Sequence, residues 1–347
     1  MTDFVFVRIK AMPCVNRCWH CFCEGSPAGR FMETEKCIGI LDQVADLKAE
    51  LNTIVFPMFY DEPTLHPLFK QIMKHFLARE LTYDDWWFST NGYGLARMSD
   101  EDWQELAEAG FDFIRLTFHG TGAMHDELAG RSGAYEDLVK TIEKAEKHSV
   151  NWVAGMFLNQ KNQATYEETA KTVSNLGKKM FGEFGWMLPH SEGRAAEGKG
   201  RVKLSEISRL LVDRKGWYTE GDFVRKVLSD PELGKRTARD NKCGIVYLDI
   251  DEDRNVFFGG GCDGDPFCSI KEKVFLGSLN ETTVSSCYHK YLNEPPEPIR
   301  ILNQITLGEL AARYGNEEND EVFHYSSLAN HKWLVKHLMA HYEKKST

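Results

Sequence analysis

Near its amino terminus the chain reads Phe4-Val5-Phe6-Val7-Arg8-Ile9 and, a few residues on, Cys14-Val15-Asn16-Arg17-Cys18-Trp19-His20-Cys21. The first run is short, apolar and rich in β-formers, so it predicts a buried strand. The second places three thiols four and three residues apart on the loop that follows, a spacing that lets them converge on one metal centre. Three is the informative number. A structural zinc site closes with four ligands, whereas a reactive centre keeps a position open. A [4Fe–4S] cluster normally takes four cysteines, and holding it by three leaves one iron free for a substrate. The competing reading completes a four-thiol zinc or iron–sulfur site with Cys23 or Cys37. Otherwise Cys23 is a spare buried thiol and Cys37 belongs to the packing of the first helix.

Outward from this loop the chain alternates between strand-like and helix-like segments. Apolar β-rich runs recur at Thr53–Phe59, Trp86–Ser89, Phe113–Phe118, Trp152–Phe157 and Phe184–Leu188. Amphipathic stretches of helical length lie between them at Glu35–Glu50, Ser99–Ala109, Tyr135–His148 and Tyr166–Met180. Ser99 ahead of the acids Asp100, Glu101 and Asp102 is a helix start signal. Six β-then-α units with short connections predict a parallel sheet curved into a partial barrel. Its strands would all end on one face, where such barrels do their chemistry. Ser191–Lys203 is small, charged and glycine-rich and reads as the end of the barrel. Short helices are expected at Leu204–Asp213 and Gly221–Leu228, then a β-hairpin of Ile245–Ile250 and Asn255–Phe258 around the turn Asp251-Glu252-Asp253-Arg254. A helical tail follows the break at Pro295–Pro298, with its last helix over about Ser326–Glu343. The expected fold class is therefore α/β: a partial (β/α)6 TIM-type barrel (residues 1–200), a helical linker (201–241), a small β-hairpin/helix cluster-binding domain (242–294) and a helical C-terminal tail (295–347).

The 347 residues bury a sizeable core. A formal charge of −10 argues against nucleic acid as the main partner, because such binding rests on basic residues that neutralise phosphates. Neither a signal-peptide pattern nor a stretch of about 20 apolar residues is present, so a membrane is not expected and a cytoplasmic location is. Nine cysteines are unevenly spread: Cys14, Cys18, Cys21, Cys23 and Cys37 at the front, Cys243, Cys262, Cys268 and Cys287 in the last third. In a cytosolic chain, clustered thiols read as metal or redox sites before disulfides.

The front cysteines, their place after the first strand and the following segments together resemble the radical S-adenosylmethionine (SAM) superfamily. The resemblance covers roughly residues 1–195. It implies a [4Fe–4S] cluster on Cys14, Cys18 and Cys21, with SAM bound to the uncapped iron. Members usually carry an aromatic residue before the last cysteine; here it is His20. After the second strand, Tyr60-Asp61-Glu62-Pro63 stands where the family has Gly-Gly-Glu-Pro, so Glu62 is carried over as an orienting residue and Asp61 through its main-chain carbonyl. Ser89-Thr90-Asn91-Gly92 is similar to the segment that contacts ribose and methionine, which nominates Ser89 and Asn91. Arg131 is the candidate partner of the cofactor carboxylate, since a guanidinium matches a carboxylate bidentately. His119, where a barrel's substrate-facing side chains emerge, and His190, after the sixth strand, are candidate acid–base residues; a loop histidine with no role is the alternative for each.

The late cysteines resemble the shortened auxiliary domain, often called twitch, in which a hairpin and a following helix bind a second [4Fe–4S] cluster. That implies Cys243, Cys262, Cys268 and, as the least regular of the four, Cys287 as ligands. Arg254 stands where the family has glycine after aspartate. A four-cysteine zinc site would use the same residues. The resemblance implies reductive cleavage of SAM to a 5′-deoxyadenosyl radical that abstracts hydrogen, with electrons from a reductant such as flavodoxin or ferredoxin. A small-molecule substrate, sugar- or nucleoside-derived, is expected, because Cys14 lies close to the start of the chain. Peptide modification, RNA modification and a non-enzymatic zinc or electron-transfer role are the alternatives.

Overall fold

A computed structural model describes residues 4–11, 13–21, 23, 25, 27–51, 53–81, 88–189, 194, 200–211, 217–237, 245–259, 268–324 and 332–345. Six strands follow one another with helices between: β1 (Phe4–Ile9), α1 (Thr34–Leu51), β2 (Ile54–Phe59), α2 (Phe69–Ala78), β3 (Ser89–Thr90), α3 (Tyr93–Arg97), α4 (Asp100–Glu108), β4 (Phe113–Phe118), α5 (Gly122–Ala129), α6 (Ala134–Lys147), β5 (Asn151–Phe157), α7 (Tyr166–Ser174) and β6 (Gly185–Met187). All the pairings among them are parallel: β1 with β2, and β3–β4–β5–β6 in order. This is the partial barrel that the β-then-α alternation predicts.

Period-two alternation explains how β1 sits between two layers. Val5, Val7 and Ile9 are buried in one large core with Ile40, Leu41, Val44 and Leu47 of α1. Phe6 points the other way and stacks on Phe56 of β2 and Tyr247, with Arg8 on the same side. Cys37 lies in the helix-facing core, fully buried, and burial pushes its thiol up to about 12, as a packing residue should behave. The start signal on α4 works as read: the Ser99 hydroxyl accepts the Asp102 N–H.

Beyond the barrel come α8 (Leu204–Leu211), β7 (Trp217–Thr219), α9 (Glu220–Ser229), α10 (Pro231–Lys235), β8 (Ile245–Ile250), β9 (Asn255–Phe257), β10 (Phe275–Ser278), α11 (Val284–Asn293), α12 (Glu297–Leu302), α13 (Leu307–Tyr314), β11 (Val322–His324) and α14 (Leu334–Lys345). The hairpin β8–β9 forms around the expected turn, and Asp251 ties it by accepting the N–H groups of Asp253 and Asn255. Arg254 in that turn has φ 68°, the left-handed region where glycine is the easiest residue.

Two features depart from the sequence expectations. The hairpin is not a separate sheet: β8 pairs parallel with β1, Phe4 opposite Ile245 through Ile9 opposite Ile250, and extends the barrel wall to β9 and β10. The linker and the tail are not wholly helical either, because β7 and β11 form a two-stranded antiparallel sheet across about a hundred residues of chain. A three-residue strand has too little periodicity to announce itself without its partner. No described helix is long and apolar enough to cross a membrane.

Candidate active site

The loop after β1 is docked rather than free. The Arg17 and Trp19 N–H groups donate to the Ala129 and Leu128 carbonyls at the end of α5, 2.9 and 3.1 Å away. The Cys21 N–H returns to the Cys18 carbonyl, and the Met32 N–H closes the loop base on the Ala11 carbonyl. These bonds turn Cys14, Cys18 and Cys21 toward the end of the barrel where β2, β3 and β4 finish. Asn91, after β3, donates from Nδ2 to Cys14 Sγ at 3.4 Å, and the Gly25 N–H donates to Cys21 Sγ at 3.3 Å.

Burial governs the thiols. It drives Cys14 well above the ordinary range, helped by the nearby Glu62 carboxylate, and pushes Cys18 up to about 12. Cys21 goes the other way, down to about 6, chiefly because the Cys23 side chain hydrogen-bonds its sulfur. Cys23 and Tyr60 form a small buried apolar cluster with Cys21 and Met58 against it. Three thiolates cannot collect in such a place without a cation to carry their charge. Among the described residues, the only three ligand atoms within 4.8 Å of one another belong to Cys18, His20 and His119, so the three thiols are not gathered tightly around a single ion. A tetrahedral thiolate site needs metal–sulfur distances of about 2.3 Å and hence closer sulfurs. The wider spacing and the thiol-rich donor set fit an iron–sulfur cube. Trp19 Nε1 on this loop and His119 Nδ1 after β4 are buried with no hydrogen-bond partner among the described residues, which a bound group would supply.

Glu62 is fully buried and accepts from the Thr64 hydroxyl (2.5 Å), the Thr90 hydroxyl (2.7 Å) and the Asn91 N–H (2.5 Å). It therefore knits the β2 and β3 loops together. Burial raises its pKa against those bonds. Asp61 has φ 62°, so the aspartate standing in the glycine position adopts the left-handed backbone that glycine would. Its carboxylate lies where a Cβ on Gly25 would come within 2.7 Å, which makes Gly25 the small residue that lets the thiol loop approach the β2 loop.

Arg131 reaches the thiol loop, with Nε donating to Asn16 Oδ1 at 2.6 Å, and it pairs with Asp137 at 2.7 Å across the face of Tyr93. Ser89 lies on β3 opposite Arg115 of β4. His20 stacks on Phe157 at 4.0 Å and lies 4.7 Å from His119. His119 is buried; its N–H donates to His125 Nδ1 (3.1 Å) and its carbonyl accepts from Asn162 Nδ2 (3.1 Å). Burial holds the His119 imidazole well below its usual pKa, so it is a neutral ring. His190, Cys243 and Cys262 lie outside the described residues, as does the side chain of Cys268. Cys287 is buried on α11, with its sulfur 3.0 Å from where a Cβ on Gly277 would stand, and burial raises its thiol to about 11.

The structure gives three residues roles that the sequence reading did not assign. Cys23 hydrogen-bonds the Cys21 sulfur. Asp137 shares Arg131. Arg194 donates to the Cys18, Cys21 and Gly25 carbonyls.

A profile of the radical SAM superfamily matches residues 13–173. The sporulation killing factor maturation protein SkfB of Bacillus subtilis is 28% identical over 99 residues, which is 28% of this chain and 23% of that protein. The pre-heme d1 synthase of Dinoroseobacter shibae is 26% identical over 93 residues, 27% of this chain and 22% of that one. The matched stretches thus span under a quarter of each curated relative. Among solved structures, native anSMEcpe with bound AdoMet and Cp18Cys peptide superposes with a TM-score of 0.54 at 15% identity over 97% of both chains. Streptococcus suis SuiB bound to S-adenosylmethionine gives 0.57 at 14% identity over 84% of this chain and 66% of SuiB. At those identities the likeness is one of fold. With the thiol loop, the barrel and the profile in agreement, residues 13–173 carry a radical SAM domain, the domain of a family that works with a [4Fe–4S] cluster and S-adenosylmethionine.

Proposed function

We propose that this enzyme abstracts hydrogen from a peptide side chain presented at the open end of the barrel, and that Cys14, Cys18 and Cys21 are the ligands of its cluster. When bound, the cluster and S-adenosylmethionine supply one-electron cleavage of a sulfonium and a carbon radical able to take hydrogen from an unactivated C–H bond. The observation that carries the substrate class is the superposition over 97% of both chains on a structure holding AdoMet and a peptide. The match to a maturation protein supports it. The match to pre-heme d1 synthase favours a second reading, a small-molecule substrate.

In this reading Glu62 orients rather than contacts: it fixes the loops that present the Asp61 carbonyl, Ser89 and Asn91 to the cofactor. Arg131, held by Asn16 and Asp137, offers a guanidinium to a carboxylate at the thiol loop. His20 and Phe157 form a flat wall, and the Cys23–Tyr60 cluster keeps water from the sulfurs. His119, held as a neutral ring by its burial, and His190 are kept as the acid–base candidates. The barrel occupies residues 1–200 and the helical and strand segments of 201–241 lead to the hairpin domain at 242–294. There Cys243, Cys262, Cys268 and Cys287 would hold a second [4Fe–4S] cluster; residues 295–347 form the tail. A flavodoxin- or ferredoxin-type reductant would deliver electrons.

The test is 5′-deoxyadenosine release by the oxygen-protected, reconstituted protein. Cys18→Ala is expected to abolish it, leaving less than about one per cent of the wild-type rate. Peptides encoded beside the gene should raise release above the uncoupled background. Stimulation only by the dialysable fraction of a cell extract would replace the peptide reading with the small-molecule one.

A further inference from the structure

We propose that Arg194 is a positioning residue that latches the thiol loop from the β6 side of the barrel, setting both how firmly the cluster is retained and how easily it is reduced. The inference rests on Cys14, Cys18 and Cys21 holding that cluster. Arg194 makes three bonds to one short segment. Its main-chain N–H donates to the Cys21 carbonyl at 3.1 Å, one guanidinium nitrogen to the Cys18 carbonyl at 3.1 Å, and another to the Gly25 carbonyl at 2.5 Å. The loop's opposite side is held by α5 through the Ala129 and Leu128 carbonyls. The segment carrying two of the three sulfurs is thus gripped between two elements far apart in sequence.

Two consequences follow from guanidinium chemistry. A planar fork with several fixed donors can span two carbonyls at once, which a point-like ammonium cannot do. Its charge is permanent, and one added electron makes a thiolate-bound cluster more negative, so a nearby fixed cation favours the reduced form. The latch and the charge are separable by substitution: Arg194→Lys keeps the charge and loses the fork, whereas Arg194→Gln loses both.

The experiment compares the full-length reconstituted wild type, Arg194→Gln, Arg194→Lys and Cys18→Ala. Three readouts are taken: the redox titration of the paramagnetic signal that Cys18→Ala removes, iron loss to a chelator, and hydrogen exchange of residues 17–25 in the iron-free protein. Arg194→Gln is expected to lose iron about tenfold faster and to move the reduction equilibrium about tenfold toward the oxidised form, about 59 mV for a one-electron couple. Arg194→Lys should keep the wild-type midpoint and still lose iron faster. Faster exchange of the loop amides in iron-free Arg194→Gln should accompany both. Wild-type midpoint and iron loss in Arg194→Gln would overturn the proposal. Should that variant fail to fold by circular dichroism, wild-type iron loss in Arg194→Lys would overturn it instead. A wild type without the signal, or a Cys18→Ala that keeps it, would refute the ligand assignment, and unchanged loop exchange in iron-free Arg194→Gln would then refute the latch separately.

Discussion

At the scale of single residues, the thiol loop shows how neighbours divide the work of three identical side chains. Cys14 and Cys18 are held protonated by burial, while Cys21 is an anion near neutral pH because Cys23 bonds to it. In the proposed ligand set Cys21 is thus the sulfur most readily deprotonated, and the other two would release protons on binding a metal. In the iron-free protein, iodoacetamide at pH 7 is expected to modify Cys21 before Cys14 and Cys18. Cys23→Ala should move the pH midpoint of Cys21 alkylation upward by at least about one unit. Peptide mass spectrometry reads both outcomes, and an unshifted midpoint would mean that Cys23 has no hold on Cys21. The ligand spacing was legible in the sequence because it is local, eight consecutive residues on one loop. The role of Cys23 was not, because a thiol two positions from a ligand reads equally well as spare.

At the scale of elements, α5 ties the thiol loop to β4. Its end accepts the loop's N–H groups, and His125 within it accepts the His119 N–H through Nδ1. Burial lowers His125 from 6.5 to about 4, so the unfolded chain takes up that proton first as the pH falls. The contribution of His125 is therefore complete above about pH 6.5 and is lost progressively down to about pH 4, with roughly 2 kcal/mol gone by about pH 5. His125→Gln keeps an acceptor and removes the titration. Urea unfolding of the iron-free protein is expected to show a shallower loss of stability between pH 7 and pH 5 in the variant, and equal slopes would contradict this origin. The helix was not separately anticipated: the Gly120–Gly133 region reads locally as motif and turn residues. Capping and period, by contrast, announced α4 and α6 because those signals lie within one turn of the chain.

At the scale of the whole molecule, the hairpin domain is joined to the barrel through β1 itself. Arg8 of β1 and Asp249 of β8 form a two-pronged ion pair inside the wall, with Asp249 fully buried, and the Arg8 guanidinium lies 5.0 Å from the Tyr60 ring and 4.7 Å from that of Tyr247. Removing one member of such a pair strands a buried charge, which costs about 3–5 kcal/mol. Asp249→Ala is expected to expose the β8–β9 hairpin to proteolysis, and Arg8→Met combined with Asp249→Leu to restore much of the protection. Equal protease resistance of wild type and Asp249→Ala would show that the pair does not secure the junction. The hairpin, whose strand β8 is hydrogen-bonded to β1, shares a wall with the thiol loop that β1 leads into.

From the sequence alone came everything whose cause lies within a few residues: six β/α units from their periodicities, the three-thiol loop from its spacing, the Ser99 cap, and the turn of the β8–β9 hairpin. Tertiary structure decided the rest. The pairing of β8 with β1, the β7–β11 sheet, the Arg8–Asp249 pair and the grip of Arg194 join residues about 100 to 241 positions apart. Their energies come from burial and geometry that exist only once the chain has closed, so no local pattern of residue types could carry them.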